Sequence, residues 1–88
     1  MPGRRRVGAA VWNRLGSGDV VMRVLVVDDD PGFRTEVRQT LADRGHAVDE
    51  ASDASRGKTL LDERDYDMVL VDFMMPDQAV VYRMLRKL

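Results

Sequence analysis

The sequence has no cysteine, and this absence excludes disulfide bonds, zinc knuckles and thiol nucleophiles. It has one histidine, His46, which cannot by itself build a multi-histidine metal site. No apolar run approaches the roughly 20 residues that a membrane-spanning helix needs. The chain has 88 residues, of which 44% are hydrophobic and 33% charged, and this suits one small domain rather than intrinsic disorder. We therefore expect a small, soluble, cytoplasmic protein with no membrane segment.

Charge divides the chain into two parts. Residues 1–21 carry four arginines against one aspartate, whereas acidic side chains outnumber basic ones in residues 22–88. The first part is rich in glycine and has no helical or strand period, so we interpret it as a basic, disordered leader. Its three consecutive arginines have no partner motif, and we expect no direct contact with nucleic acid. Met22 stands directly before the first apolar run and is interpreted as the functional start of a domain over residues 22–88.

Two continuous apolar runs dominate this domain. Residues 24–27 and 68–71 are aliphatic without alternation, which is typical of strands that are covered on both faces of a parallel sheet. A shorter strand is predicted between them, from His46 to about Ala51. Both long runs end at an acid, Asp28 in the first case and Asp72 in the second.

Helices are predicted between these strands and after the last one. Asp30 before Pro31 is a good N-cap, and Gly45 is a natural end for the helix that begins there. Ser52 and Asp53 can cap a second helix, which Gly57 weakens by about 1 kcal/mol relative to alanine. A third helical period follows Pro76. The order β-α-β-α-β-α predicts an α/β fold with a parallel sheet and right-handed crossovers.

The acids at the strand ends are the most informative feature of the sequence. Ligands of open parallel sheets bind beyond the carboxyl ends of the strands. If the first and third strands are neighbours, Asp28, Asp29 and Asp72 converge there. Three carboxylates repel one another unless a cation neutralises them, and Mg²⁺ fits best because it needs only one or two carboxylates plus a phosphate oxygen. This pattern favours phosphoryl binding or transfer, whereas Asp30 is interpreted as a cap without a chemical role.

These residues resemble the receiver domain of bacterial two-component response regulators. The resemblance rests on the apolar run that ends in Asp28-Asp29-Asp30-Pro31, on Gly45-His46-Ala47-Val48, and on an apolar run followed by Asp72-x-Met74-Met75-Pro76. It covers residues 22–88. The resemblance implies a flavodoxin-like, receiver-type three-layer αβα fold with a parallel sheet, here truncated to about three βα units.

The resemblance also implies a role for individual residues. Asp72 matches the phosphoacceptor, which takes a phosphoryl group from a sensor histidine kinase or a phosphotransfer protein. Asp28, Asp29 and the backbone carbonyl of Met74 match the remaining protein ligands of Mg²⁺. His46 matches a position at the start of the second strand and is not a phosphohistidine. The implied function is two-component phosphorelay signalling by a phosphoacceptor that is not an enzyme.

Two departures from the family lead to further expectations. The loop after Asp72 is short, because the third helix follows Asp77 about two residues early. The sequence also ends near the third helix, whereas similar receivers continue into elements that carry a Thr or Ser and a Lys of the site. We therefore expect reduced competence in phosphotransfer. With three strands, residues 68–71 form an open apolar edge, so we also expect marginal stability and self-association through that edge.

Two alternative functions are weighed against this one. The chain could be an interaction fragment that binds a kinase or a regulator without carrying phosphate, or a gene remnant. It could also be a magnesium-dependent phosphatase, because Asp28-x-Asp30 after a strand faintly resembles haloacid-dehalogenase-like enzymes. Gly32 stands where those enzymes have Thr or Val and their later motifs are missing, so the phosphatase interpretation is the poorest.

Overall fold

The computed structural model describes residues 9–13, 21–72 and 74–88, which form a four-stranded sheet and three helices. The strands are β1 (Ala9–Asn13), β2 (Arg23–Val27), β3 (Ala47–Ala51) and β4 (Met68–Asp72). The helices are α1 (Pro31–Asp43), α2 (Ala54–Glu63) and α3 (Gln78–Leu85). None of the three described helices has the length and hydropathy that spanning a membrane requires.

The sheet has the parallel arrangement that the sequence predicts. Its strand order is β1-β4-β2-β3, and β2 pairs in parallel with both β3 and β4. The four residues 24–27 of β2 are fully buried, as expected for a central strand that is covered on both faces. The α/β fold with adjacent first and third parallel strands is therefore confirmed.

β1 is the element that the sequence analysis did not predict. It pairs antiparallel with β4, from Ala9 opposite Asp72 to Asn13 opposite Met68. The predicted disordered leader is therefore wrong for residues 9–13, and the predicted open edge of β4 is wrong because β1 occupies it. The physical reason is that an apolar edge strand presents unpaired backbone groups, which any extended segment of the same chain can satisfy. The rest of the leader prediction, over residues 1–8 and 14–20, lies outside the described residues.

Aspartate caps set the start of all three helices. Asp30 accepts hydrogen bonds from the backbone N–H groups of Gly32 and Phe33, and Asp53 accepts one from Arg56 at 2.7 Å. Both caps agree with the sequence analysis. Asp77 caps α3 from a left-handed conformation with φ of 61°. α3 begins at Gln78, directly after this cap, so the predicted start of the third helix after Asp77 is confirmed.

The main core lies between the sheet and the pair of helices α2 and α3. It combines alternate residues of β2 and β4 with Leu60 of α2 and with Val81 and Met84 of α3. Tyr82 of α3 and Leu88, which follows the helix, are large apolar residues of the segment after Pro76, yet they are 65% and 41% exposed. The face of α3 that packs is therefore narrower than its sequence period indicates.

Helix α1 covers the opposite face of the sheet. None of its residues is buried, but Phe33, Val37 and Leu41, which recur every four residues, form an apolar stripe that faces the sheet. Together with Met68 and Leu70 of β4, this stripe lines an apolar groove of about 500 Å³. Among the residues that the structure describes, the layers on the two sides of the sheet are thus unequal, and the close-packed core lies on the α2–α3 side.

Candidate metal and phosphoacceptor site

Three carboxylates meet at the carboxyl edge of the sheet. Asp28 follows β2, Asp72 ends β4, and these two strands are parallel neighbours. One carboxylate oxygen from each of Asp28, Asp29 and Asp72 lies within 4.8 Å of the others. Asp28 and Asp72 are 2% and 4% exposed, whereas Asp29 is exposed to solvent. The convergence that strand order predicts is therefore present, with two acids at the floor of the site and one at its rim.

Backbone amides orient the two buried carboxylates. The N–H of Asp30 donates to Asp28 Oδ1 at 2.9 Å, and the N–H of Met74 donates to Asp72 Oδ1 at the same distance. The N–H of Asp28 donates to the Ala51 carbonyl of β3 at 3.1 Å. Because each buried carboxylate accepts a hydrogen bond from the loop that follows its own strand, the geometry of the site depends on both loops.

The donor set fits a hard divalent cation. The three clustered side-chain donors are carboxylate oxygens, which Mg²⁺ prefers, and no described His joins them. Burial of Asp28 and Asp72 next to each other is costly unless their charge is compensated, which a divalent cation would do. The residues present therefore suit Mg²⁺, and the assignment of Asp28, Asp29, Asp72 and the Met74 carbonyl as its ligands stays a prediction.

The remaining residues of the two motifs occupy distinct environments. The Met74 side chain is 70% exposed, and Met75 is 2% exposed and belongs to the core. His46 lies at the other end of the sheet, where its Nδ1 accepts a hydrogen bond from the N–H of Met22 at 3.0 Å. His46 is thus separated from the acidic cluster by the length of β2.

Arg34 is a contact of the site that the sequence analysis missed. Its Nη1 donates to the backbone carbonyl of Asp28 at 2.6 Å, and its Nε lies 3.3 Å from Glu50 Oε1 on β3. A sequence signal for this contact exists. Side chains of a helix lean towards its N-terminus, so a long side chain in the second turn of α1 can reach back to the end of β2.

The fold and the acidic edge define an α/β domain with a cluster of carboxylates, which suits a cation, at the carboxyl ends of its parallel strands. The family model described as the response regulator receiver domain matches residues 24–86. The chain therefore belongs to the response regulator receiver domain family. Receiver domains bind Mg²⁺ in the acidic pocket to which the cluster of aspartates corresponds.

Curated relatives agree with this family. The transcriptional regulatory protein PhoP of Escherichia coli K12 is 40% identical over 57 residues, which are 65% of this chain and 26% of PhoP. The transcriptional regulatory protein TcrA of Mycobacterium tuberculosis H37Rv is 36% identical over 55 residues, which are 62% of this chain and 22% of TcrA. The similarity thus spans about a quarter of the length of these relatives. No solved structure matches the chain significantly.

Proposed function

We propose that the chain acts in two-component phosphorelay signalling by accepting a phosphoryl group on Asp72. The observation that carries this proposal is the meeting of Asp28, Asp29 and Asp72 at the ends of two adjacent parallel strands. A buried acceptor carboxylate beside two further acids is a poor arrangement for folding alone, because like charges repel at short range. The same arrangement becomes favourable when the site binds a cation together with a phosphoryl group.

The proposed reaction is an in-line displacement at phosphorus. A carboxylate oxygen of Asp72 forms a bond to the phosphorus of a phosphohistidine or of a small acyl phosphate, and the bond from phosphorus to the donor breaks. The leaving group takes the electron pair of that bond, and Asp72 becomes an aspartyl phosphate. The hydrogen bond from the Met74 N–H to Asp72 Oδ1 holds the carboxylate in a fixed orientation before the reaction.

Mg²⁺ is part of this proposal, with Asp28, Asp29, Asp72 and the backbone carbonyl of Met74 as its protein ligands. When bound, it would offset the charge between the attacking carboxylate and the incoming phosphoryl group. The proposed partner is a sensor histidine kinase or a phosphotransfer protein. We also propose that the chain is a phosphoacceptor and not an enzyme with turnover, because Asp72 keeps the group that it receives.

Incubation with acetyl phosphate, followed by intact-protein mass spectrometry, tests the proposal. We expect one phosphoryl adduct that needs Mg²⁺ and is absent from Asp72→Asn. Asp65→Asn is the matched control, because Asp65 is an exposed acid outside the cluster, and it should be labelled normally. Labelling of Asp72→Asn would contradict the assignment. Kinase binding that persists in Asp72→Asn, with no adduct on the wild-type chain, would favour the interaction fragment instead.

A further inference from the structure

The guanidinium of Arg34 contacts the peptide group that joins Asp28 to Asp29. Nη1 of Arg34 donates to the Asp28 carbonyl at 2.6 Å, which is a short hydrogen bond for this pair of groups. The Arg34 side chain is only 16% exposed, so the contact lies largely out of water. The planar guanidinium of an arginine donates hydrogen bonds in fixed directions. An arginine bound to two acceptors therefore restricts both of them more than the flexible ammonium of a lysine does.

This peptide group controls the directions of the two acidic side chains that follow β2. A peptide unit is planar, so fixing its carbonyl oxygen fixes the direction in which the chain enters Asp29. The other atoms of Asp28 are held as well, since its N–H bonds to Ala51 and its Oδ1 accepts from the N–H of Asp30. The hydrogen bond from Arg34 differs from these two, because it acts directly on the peptide that leads to the exposed Asp29.

A second anchor orients the Arg34 guanidinium itself. Nε of Arg34 lies 3.3 Å from Glu50 Oε1, and Nε of Arg38 lies 2.8 Å from Glu50 Oε2. Glu50 on β3 thus bridges two arginines of α1, but Arg34 is the one that extends to Asp28. Arg38 shares the ion pair with Glu50, whereas the hydrogen bond to the Asp28 carbonyl comes from Arg34, so Arg38 provides a natural comparison.

We propose that Arg34 is a positioning residue, which fixes the Asp28–Asp29 peptide so that both carboxylates can bind Mg²⁺. The inference rests on the proposed function, because it assumes that these acids hold the metal. Positioning and plain electrostatics predict opposite effects for a neutral residue at position 34. Removing a nearby positive charge would by itself strengthen the binding of a cation, whereas loss of positioning would weaken it.

Mg²⁺ titration of the full chain by calorimetry tests the inference, with Arg34→Gln, Arg34→Lys and Arg38→Gln as variants. We expect Arg34→Gln to weaken Mg²⁺ binding by about tenfold or more, the range typical of residues that orient metal ligands. Arg34→Lys retains the charge but not the fork, and should fall between Arg34→Gln and the wild type. It also covers the case in which Arg34→Gln does not fold. Arg38→Gln should bind Mg²⁺ like the wild type.

A spectroscopic measurement separates positioning from general stability. The Asp29 amide N–H belongs to the same peptide as the Asp28 carbonyl, so its ¹⁵N shift responds to the hydrogen bond from Arg34. In metal-free protein, we expect this resonance to move in the Arg34 variants and to stay in place in Arg38→Gln.

The outcomes are distinguishable. Unchanged or tighter Mg²⁺ binding by the Arg34 variants, with normal binding by the wild type, would overturn the inference and leave the proposed function intact. An equal loss in Arg38→Gln would also overturn it, because the effect would then come from the Glu50 ion pairs. A wild-type chain that binds no Mg²⁺ would overturn the metal site itself, and with it this role of Arg34.

Discussion

Tyr66 shows how a single buried side chain couples the stability of the fold to pH. It is 5% exposed, and its hydroxyl donates to Asp49 Oδ2 at 2.6 Å, the same oxygen that Arg64 contacts at 3.0 Å. Burial raises the pKa of the Tyr66 phenol well above its ordinary value, and the hydrogen bond to the negatively charged Asp49 raises it further. The protonated phenol is therefore the form that the folded state stabilises.

The pH dependence of unfolding should reveal this hydrogen bond. The pKa of Tyr66 in the folded state lies above its unfolded value of about 10. The contribution of Tyr66 to the stability of the fold is therefore fully present below about pH 10 and is lost as pH rises above it. We expect Tyr66→Phe to cost about 1–2 kcal/mol in the free energy of unfolding at pH 7, and less in alkaline buffer. Urea unfolding between pH 7 and pH 11 measures the cost at neutral pH and its decrease in alkaline buffer. Tyr82→Phe is the control, since Tyr82 is exposed. Parallel pH profiles for wild type and Tyr66→Phe would contradict the assignment.

At the scale of single helices, the sequence contains most of the necessary signals. The starts of α1 and α2 follow from Asp30, Pro31 and Asp53, because a cap acts on N–H groups only two or three residues away. The end of α1 follows from Gly45, which has a φ of 89°. The face that α3 buries could not be predicted, because it depends on how α3 meets α2, and that contact is between residues distant in sequence.

Gly57 has a role in packing that its low helix propensity does not indicate. The sequence indicates only that this glycine weakens α2, yet a Cβ at position 57 would lie 2.6 Å from Met84 Sδ and 3.0 Å from Val27 Cγ2. The methionine can move, but Val27 is β-branched, has a stiff side chain, and lies in the fully buried central strand. Gly57 therefore permits the close approach of α2 to β2 and α3.

Two glycine substitutions should have opposite effects on stability. We expect Gly57→Ala to destabilise by about 1–3 kcal/mol through overpacking, partly offset by a gain in helix propensity of up to about 1 kcal/mol. Gly32→Ala in α1 is the matched control. Its Cβ would meet Asp30 Oδ1 at 3.4 Å, which is an ordinary van der Waals distance, so it should stabilise by up to about 1 kcal/mol. The midpoints of urea unfolding measure both changes, and a shift of the same sign in the two variants would contradict this account.

For the whole molecule, sequence reasoning predicts the order of the parallel strands but not the edge of the sheet. The adjacency of β2 and β4 follows from their continuous apolar character and from the acids at their ends, so the meeting of Asp28 and Asp72 could be predicted. Pairing of β1 with β4 could not. Residues 9–13 lack an alternating pattern, and the contact joins segments more than 50 residues apart.

Deletion of β1 should expose the edge of β4. We expect a chain without residues 1–13 to self-associate and to unfold at a lower temperature, because β4 is apolar and would then present unpaired backbone groups. A chain without residues 1–8 is the control, since it keeps β1. Size-exclusion chromatography with light scattering, together with a thermal melt, compares the two. A monomer of unchanged melting temperature after removal of residues 1–13 would show that β1 does not protect the edge.

The role of Asp72 as the phosphoacceptor is tested most directly by locating the phosphoryl group on the protein. Borohydride reduction of the protein after reaction with acetyl phosphate and Mg²⁺ converts an aspartyl phosphate to homoserine, which peptide mass spectrometry can identify. We predict homoserine at position 72 and at no other aspartate. Homoserine at Asp28 or Asp29 instead, or none in a folded sample that has bound Mg²⁺, would contradict the role of Asp72 as the phosphoacceptor.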